Sequence, residues 1–491
     1  MHRSDQADPP PFTHGVASGD PTESSIVLWT AVPTEAWGDV EYTVGLDPDF
    51  ATVVASGRIG PENHVGAVGQ HEPEGPVRTV SIRVGGLAEH TVHHYRFQVD
   101  GVVSPVGQFA TLPSADADID HVRVGLATCA RLASATFEPY ADLARARPDL
   151  VVHLGDYIYE DGSAPHEPPA ECRTDGDYRR RHAQYRREPA LQELHRSAPW
   201  VAVWDDHDVA DDSWRTGAAD SDDGRHEWEQ RRGAAEGAYF DWIPQEPSTT
   251  GPTPMDRRIR LGALADIVVL DARNAARDRP VRESGPALVS PTDDRRIISD
   301  EQWAWLEQCV DECPGWLVVC TQTQVSPLRL ARLPNLRRRG RVEPLVNPGQ
   351  WDGYPLEQER LARTLAPVAG RILLCSGDLH GRFHTGVRFA DGRLAPEVTT
   401  PSIASTPFAD AIRTKLPIPT TLLMRWLHRL NPQVSYMDLQ SRGSTVLDIT
   451  DESIRIAAIG PSGTRPRVWR LDRNDPEIRR AEPVPTAATG S

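Results

Sequence analysis

Thiol, carboxylate, phenol and imidazole groups collect just past four short apolar runs of this 491-residue chain. VRVGLATC ends on Cys129. LVVHLGDYIY carries Asp156 and, three residues on, Tyr159. WVAVWDDHD carries Asp205, Asp206, His207 and Asp208, and RILLCSGDLH carries Asp378 and His380. Together these are the ligand types of a polynuclear metal site, and such sites commonly perform hydrolysis. A carboxylate at Asp156 could bridge two cations. A tyrosine ligand binds as phenolate, which suits a hard ferric ion better than zinc or magnesium; the alternative is that Asp156 caps a helix and Tyr159 packs on it. Adjacent buried carboxylates at Asp205 and Asp206 are costly without cations, although an aspartate-rich helix start is a second reading. His207 reads as a metal ligand or as a donor to a leaving group or phosphoryl oxygen. Asp378 and His380 alternate around Leu379, so extended backbone would aim both to one side. Asp211 and Asp212 are extra ligands or a solvated loop, and His14 and Asp20 read as turn residues. Arg131, just after the Cys129 turn, could hold a phosphate. The runs Arg179 to Arg181 and Arg337 to Arg339 read as solvated faces.

The four apolar runs have strand length and end in polar or turn residues. In an open α/β sheet, functional groups gather where the carboxyl ends of strands meet. From Val122 onward strands alternate with helical stretches, among them Tyr178 to His195, Glu227 to Trp242, Asp300 to Cys313 and Leu356 to Ala369. That is the pattern of a mostly parallel, layered α/β sheet. RRIRLGALADIVVLDAR and STVLDITDESIRIAAIG read as antiparallel hairpins mixed into it. From about Phe12 to Leu112 the chain reads as all-β, in short alternating strands separated by Gly, Pro and Asp turns. GLAEHTVHHYRFQVDG has the look of a fibronectin type III corner, with Tyr95 as candidate corner tyrosine. The expected division is a β-sandwich over 1–112, a linker over 113–121, a catalytic domain over 122–471 and an extended tail over 472–491.

Composition narrows the function. The formal net charge of −17 argues against a stable nucleic-acid complex. The basic residues are nearly all arginine. Lys415 is the one lysine, which disfavours P-loop and Schiff-base chemistry and leaves arginine as the phosphate clamp. Six cysteines are too sparse for a disulfide scaffold. Cys309 and Cys313 could pair or pack, Cys320 and Cys375 read as core, and Cys129 alone has a ligand's position. There is no apolar run long enough for a membrane span. MHRSDQADPPP lacks an apolar signal region, so the sequence as it stands reads as cytoplasmic, unless it is the mature form of an exported protein.

Several motifs in fixed order resemble the PhoD-type alkaline phosphatases, a branch of the metallophosphoesterases. They are HGVASGDPTESSIVLWT, the Cys129 turn, HLGDYIYE, HAQYRREPALQELHRSAPWVAVWDDHD, LDAR, WDGYP, SGDLH and NPQVSYMDLQSRG. The resemblance implies a four-layer αββα catalytic domain behind an N-terminal sandwich. It implies Fe3+ held by Cys129, Asp156 and Tyr159, with Ca2+ beside it and Zn2+ or Mn2+ as alternatives. Asp205 and Asp206 then join the metal ligands, His207 matches the catalytic histidine, and Asp378 and His380 take the place of paired histidines. The implied reaction is in-line attack of a metal-bound oxygen on a phosphoryl group, with Arg131 as candidate phosphate ligand. The implied substrates are small phosphate esters, with phospholipids or other phosphodiesters as a further option, and the implied export route is twin-arginine. A phospholipase D-type phosphodiesterase is the second reading and a metal-stabilised, non-catalytic binding protein the third. Asp208, Asp211 and Asp212 depart from the family's usual Asn-containing turn, which adds charge around the cations.

Overall fold

The computed structural model describes residues 10–34, 40–60, 64–67, 76–219, 224–335, 341–415, 418–461 and 466–482. Arg337 to Arg339, the end of the tail and the side chain of Lys415 lie outside the described residues.

The fold is mixed α/β. Strands Val122–Ala127, Leu150–His153 and Trp200–Ala202 run parallel side by side, with Ala127, His153 and Ala202 in register across them. They are buried on both faces, as apolar parallel strands must be. The antiparallel hairpin Ser444–Ile449/Ser453–Ile459 extends this sheet on one side. On the other side it meets strand Val16–Gly19 through a single parallel pair, Gly19 with Trp200. A Cβ at residue 19 would stand 2.0 Å from the Pro244 carbonyl oxygen, so only glycine permits this approach. Asp20, in a turn with φ of 43°, then pairs with Arg257 at 2.9 Å and ties the amino-terminal strands to the hairpin Arg257–Leu261/Ala265–Val269.

That hairpin opens a second sheet, continued by parallel strands Trp316–Cys320, Ile372–Ser376 and Leu394–Thr399. Its alternate residues divide between two cores. Ile267, Val269, Val318 and Cys320 pack with the first sheet, while Val268, Leu317, Val319 and Leu374 pack with helices Asp300–Glu312 and Pro355–Leu365. The amino-terminal strands form two sheets around a core of their own, with Ile26 and Leu28 from one and Val44, Tyr95 and Phe97 from the other. All six cysteines are free and buried, Cys309 and Cys313 included. The helix expected from Tyr178 to His195 is two, Asp175–Arg186 and Pro189–Ser197. Pro189 has no N–H to continue the first helix and instead begins the second, where none is needed.

Candidate metal centre

Because the three parallel strands end in register, Cys129, Asp156 and Asp205 emerge beside one another. Gly155 makes this possible: with φ of 97°, its missing Cβ would lie 2.5 Å from the Asp205 Cβ. Cys129, Asp156, Asp378 and His380 all adopt left-handed backbone, with φ of 57°, 56°, 59° and 51°. Non-glycine residues reach that region at a cost, and such strain concentrates at functional sites.

Asp208 holds the loops in place. One carboxylate oxygen accepts the N–H groups of Asp156 (2.9 Å) and Asp205 (2.8 Å), and the other those of Tyr157 (3.0 Å) and Ile158 (3.1 Å). Burial pushes its carboxyl up to about 7 against the pull of these four donors. With both oxygens occupied, Asp208 is an anchor for the ligand loops rather than a ligand.

The donor atoms converge. Ligand atoms of Cys129, Asp156 and His380 lie within 4.8 Å of one another, as do those of Asp156, Asp205 and Asp206, and those of Asp206, His207 and Asp211. The Tyr159 hydroxyl donates to Asp156 at 2.7 Å and lies 3.2 Å from His380 Nε2, and the Ser405 hydroxyl donates to it at 2.7 Å. His380 Nδ1 donates to the Thr406 carbonyl at 2.9 Å, which leaves the lone pair on Nε2 facing the centre. His207 Nδ1 is 2.8 Å from Glu160, and its ring stacks on Tyr159 at 4.1 Å. Arg273, fully buried, contacts Asp205, Asp206 (3.4 Å) and Asp378 (3.0 Å). Its loop is set by Asp271, which accepts the N–H groups of Arg273 and Asn274 and the Trp204 indole N–H.

The electrostatics follow from packing so much negative charge out of water. Burial, aided by Asp156, holds both the Cys129 thiol and the Tyr159 phenol well above their ordinary values. Burial also raises Asp156, against His207 and with Asp206 and Asp205 adding to the rise. Asp205 and Asp206 share Arg273 and part ways. Burial wins at Asp205, which is raised; at Asp206 burial is outweighed by Arg273 and His207, and its carboxyl falls to about 2. His207 is raised: burial opposes the charge, but Glu160 and Asp156 prevail. Burial lowers His380 to about 4, so it stays neutral.

The family model for PhoD-like phosphatases matches residues 124–458, and the model for the PhoD-like phosphatase N-terminal domain matches residues 1–113. The chain belongs to the PhoD-like phosphatase family. Alkaline phosphatase D of Bacillus subtilis (strain 168) is 29% identical over 395 residues, covering 75% of this chain and 64% of that protein. The match thus spans less than two thirds of that relative's length. A solved structure of PhoD superposes with a TM-score of 0.80 at 24% identity, covering 97% of this chain and 93% of that one.

The PhoD-like core places Cys129, Asp156, Tyr159, Asp205, Asp206, His207, Asp378 and His380 around one volume. Other readings change. Asp378 and His380 are not in extended geometry: strand Ile372–Ser376 ends before them, and both turn through left-handed backbone with the Leu379 N–H bonded to Gly377. Each residue's own φ, not strand alternation, aims it. Arg131 is held by Asp161 through two bonds of 3.1 and 3.0 Å, with its guanidinium 6.0 Å from the Tyr159 ring centre. Arg181 is no solvated residue; it is buried and donates to the carbonyls of Asp161, Glu167 and Pro168. His14 is buried against Trp242. Asp211, with its side chain 64% exposed, has its N–H bound to Glu160 at 2.7 Å, and the Asp212 N–H binds Asp206 at 2.7 Å. Glu160 and Arg273 also join the cluster; they stand within HLGDYIYE and LDAR, where neither residue type signals a ligand by itself.

The residues fit cations. The second oxygen of Asp205 and one of Asp206 are buried without a hydrogen-bond donor. Buried carboxylate oxygens rarely go unpaired. Oxygen, thiol and imidazole donors aimed at one volume are the complement of a hard or borderline metal ion.

Proposed function

We propose that this protein is a metal-dependent phosphoester hydrolase of the alkaline phosphatase D kind. The observation that carries the reading is the convergence of Cys129, Asp156, Asp205, Asp206, His207 and His380, with the Tyr159 hydroxyl on Asp156, Asp378 joined through Arg273, and one buried Asp205 oxygen without a hydrogen-bond donor. Cys129, Asp156 and Tyr159, with His380 beside them, would hold a ferric ion, and Asp205, Asp206 and Asp378 would hold calcium next to it; zinc or manganese are the alternatives. Bound there, such cations neutralise charge developing on a phosphoryl group undergoing in-line displacement.

The chain's own groups have separate tasks. His207, kept protonated by Glu160 and stacked on Tyr159, carries a proton within reach of a leaving oxygen. Arg131 adds positive charge at the edge of the site, fixed by Asp161. Asp208 and Arg273 hold the loops so that the acidic groups stay aligned. Around this centre we propose the four-layer αββα arrangement, supported by the second sheet's two cores, behind a fibronectin type III-like sandwich. The boundaries 112, 121 and 471 are the ones we assign.

Elemental analysis of the purified protein, with phosphomonoester and phosphodiester hydrolysis measured on the same sample, tests the proposal. Iron and calcium with turnover is the expected outcome, and the ratio of the two rates places the substrate among monoesters or diesters. Zinc or manganese, with a Cys129→Ser variant still active, would replace the ligand assignment by a conventional dinuclear centre. Neither metal nor turnover would leave the binding-protein reading and end the hydrolase one.

A further inference from the structure

Between Asp410 and Asp438 the chain has no acidic residue, although it carries 70 of them in 491. The same stretch holds Arg413, Arg425, His428, Arg429 and the sole lysine. It folds into helices Phe408–Lys415 and Thr420–Leu430. One face of the second helix is buried: Leu423 and Leu427, four residues apart, pack with Leu379, Phe383, Ala409 and Val434. The opposite face carries Leu422, Arg425, Trp426 and Arg429, all exposed and spaced as i, i+3, i+4 and i+7. Leu422 and Trp426 are each 53% exposed, and Ile418, just before the helix, is 37% exposed. The Trp426 indole N–H donates to the Leu330 carbonyl at 2.9 Å, which fixes the ring at the surface.

We propose that this helix docks the protein onto an anionic lipid surface, lying flat with Leu422 and Trp426 among the upper acyl chains. Arg425 and Arg429 would then lie level with the headgroups, their stems on the apolar side. The interleaving of apolar and basic residues favours this occupant over others. A soluble polyanion would match the arginines and leave leucine and tryptophan in water. A second copy of the helix would set arginine against arginine. The lipid surface supplies both hydrocarbon and negative charge. No described helix is long and apolar enough to cross a membrane.

The position of the helix ties docking to the site. Leu379, in the apolar cluster beneath it, lies between Asp378 and His380, and the Phe408 N–H donates to the His380 carbonyl at 3.0 Å. Docking would bring the metal centre to phosphoesters carried at that surface, a consequence that rests on the hydrolase reading; the docking itself does not.

The test is flotation of the full chain with vesicles of phosphatidylcholine alone and of phosphatidylcholine mixed with phosphatidylglycerol, without turnover. Binding to the mixed vesicles and not the neutral ones is expected. Leu422→Ser/Trp426→Ser should weaken it by ~10-fold or more, and so should Arg425→Glu/Arg429→Glu, which keeps the apolar residues. Hydrolysis of a soluble aryl phosphate should match that of the parent in both variants, which reports an intact fold. Absence of flotation by the parent, or flotation that both variants keep, overturns the proposal. So does a concentration-dependent dimer in sedimentation that the variants abolish. Intact flotation with no hydrolysis counts against the hydrolase reading alone.

Discussion

Asp208→Asn removes one charge and almost no volume, yet its cost should be large. The Asp208 carboxylate accepts four backbone N–H groups, two on each oxygen, from Asp156, Tyr157, Ile158 and Asp205. An asparagine keeps one oxygen and turns an NH2 toward the other pair of donors. Two charge-assisted bonds, each worth ~1.5–3 kcal/mol, disappear, and two N–H groups face a third donor in a site closed to water. The expected destabilisation is ~3–5 kcal/mol, a large share of a typical domain's stability. Asp208→Ala would orphan all four donors and is expected not to accumulate as folded protein. Urea unfolding of the asparagine variant measures the effect. The pH should lie well above the value of about 7 to which burial pushes this carboxyl, so that the parent is a carboxylate. Because the same bonds position Asp156 and Asp205, metal content should fall with stability. A variant within ~1 kcal/mol of the parent and fully metallated would refute the anchor role.

Tyr159→Phe keeps the ring stacked on His207 but removes the hydroxyl that meets Asp156, His380 and Ser405. If that oxygen is a ferric ligand, the parent protein is coloured and the variant loses or shifts the visible band; a colourless, iron-loaded, active parent would sink the assignment. His207→Ala should cut turnover by ~10²–10⁴-fold with metal content unchanged, whereas loss of metal would make His207 a ligand. Away from the centre, burial lowers His153 and His182 to about 3. Their folded pKa lies below the unfolded value, so their contribution is complete above pH 6.5 and is lost as pH falls. Between pH 7 and pH 5 each should withdraw ~2 kcal/mol. His182→Leu, whose ring nitrogens have no hydrogen-bond partner, should remove its half of that slope in urea midpoints measured across the range.

The strand ends were legible because parallel strands buried on both faces read as unbroken apolar runs, and the polar residue that follows stands out. The hairpins at Arg257–Leu261 and Ser444–Ile449 were legible from alternation. What stayed hidden is tertiary. Nothing local distinguishes Asp208, whose two oxygens hold four backbone N–H groups, from Asp206 two positions earlier, which shares Arg273 with Asp205 and Asp378. The turn at Asp378 and His380 reads as strand because its left-handed backbone has no glycine at either position to announce it. The pairing of Arg131 with Asp161, thirty residues on, is likewise written nowhere in the sequence around Arg131. Glu160 and Arg273 carry no signal of their own; each gains a role only when the chain brings His207 or three carboxylates to it.

Arg273 also divides the labour of charge within the site. Asp205, Asp206 and Asp378 all touch its guanidinium, which is fully buried and cannot be deprotonated at any working pH. That side of the cluster therefore has a permanent cation built into the chain. The other side, where Cys129, Asp156, Tyr159 and His380 meet, has among the described residues no arginine bonded to those ligand atoms, Arg131 standing 6.0 Å from the Tyr159 ring centre, and there burial and mutual repulsion hold the thiol, the phenol and the Asp156 carboxyl toward their protonated forms. An external cation gains most where the built-in charge does not reach. The balance also explains why Asp206 can stay ionised next to a raised Asp205: one guanidinium and His207 together favour the charge on one carboxylate of the adjacent pair, and leave the second oxygen of Asp205 to a ligand from outside. Exchanging Arg273 for a neutral residue would thus strand three carboxylates together and change which side of the site needs metal, a larger consequence than the loss of three ion pairs.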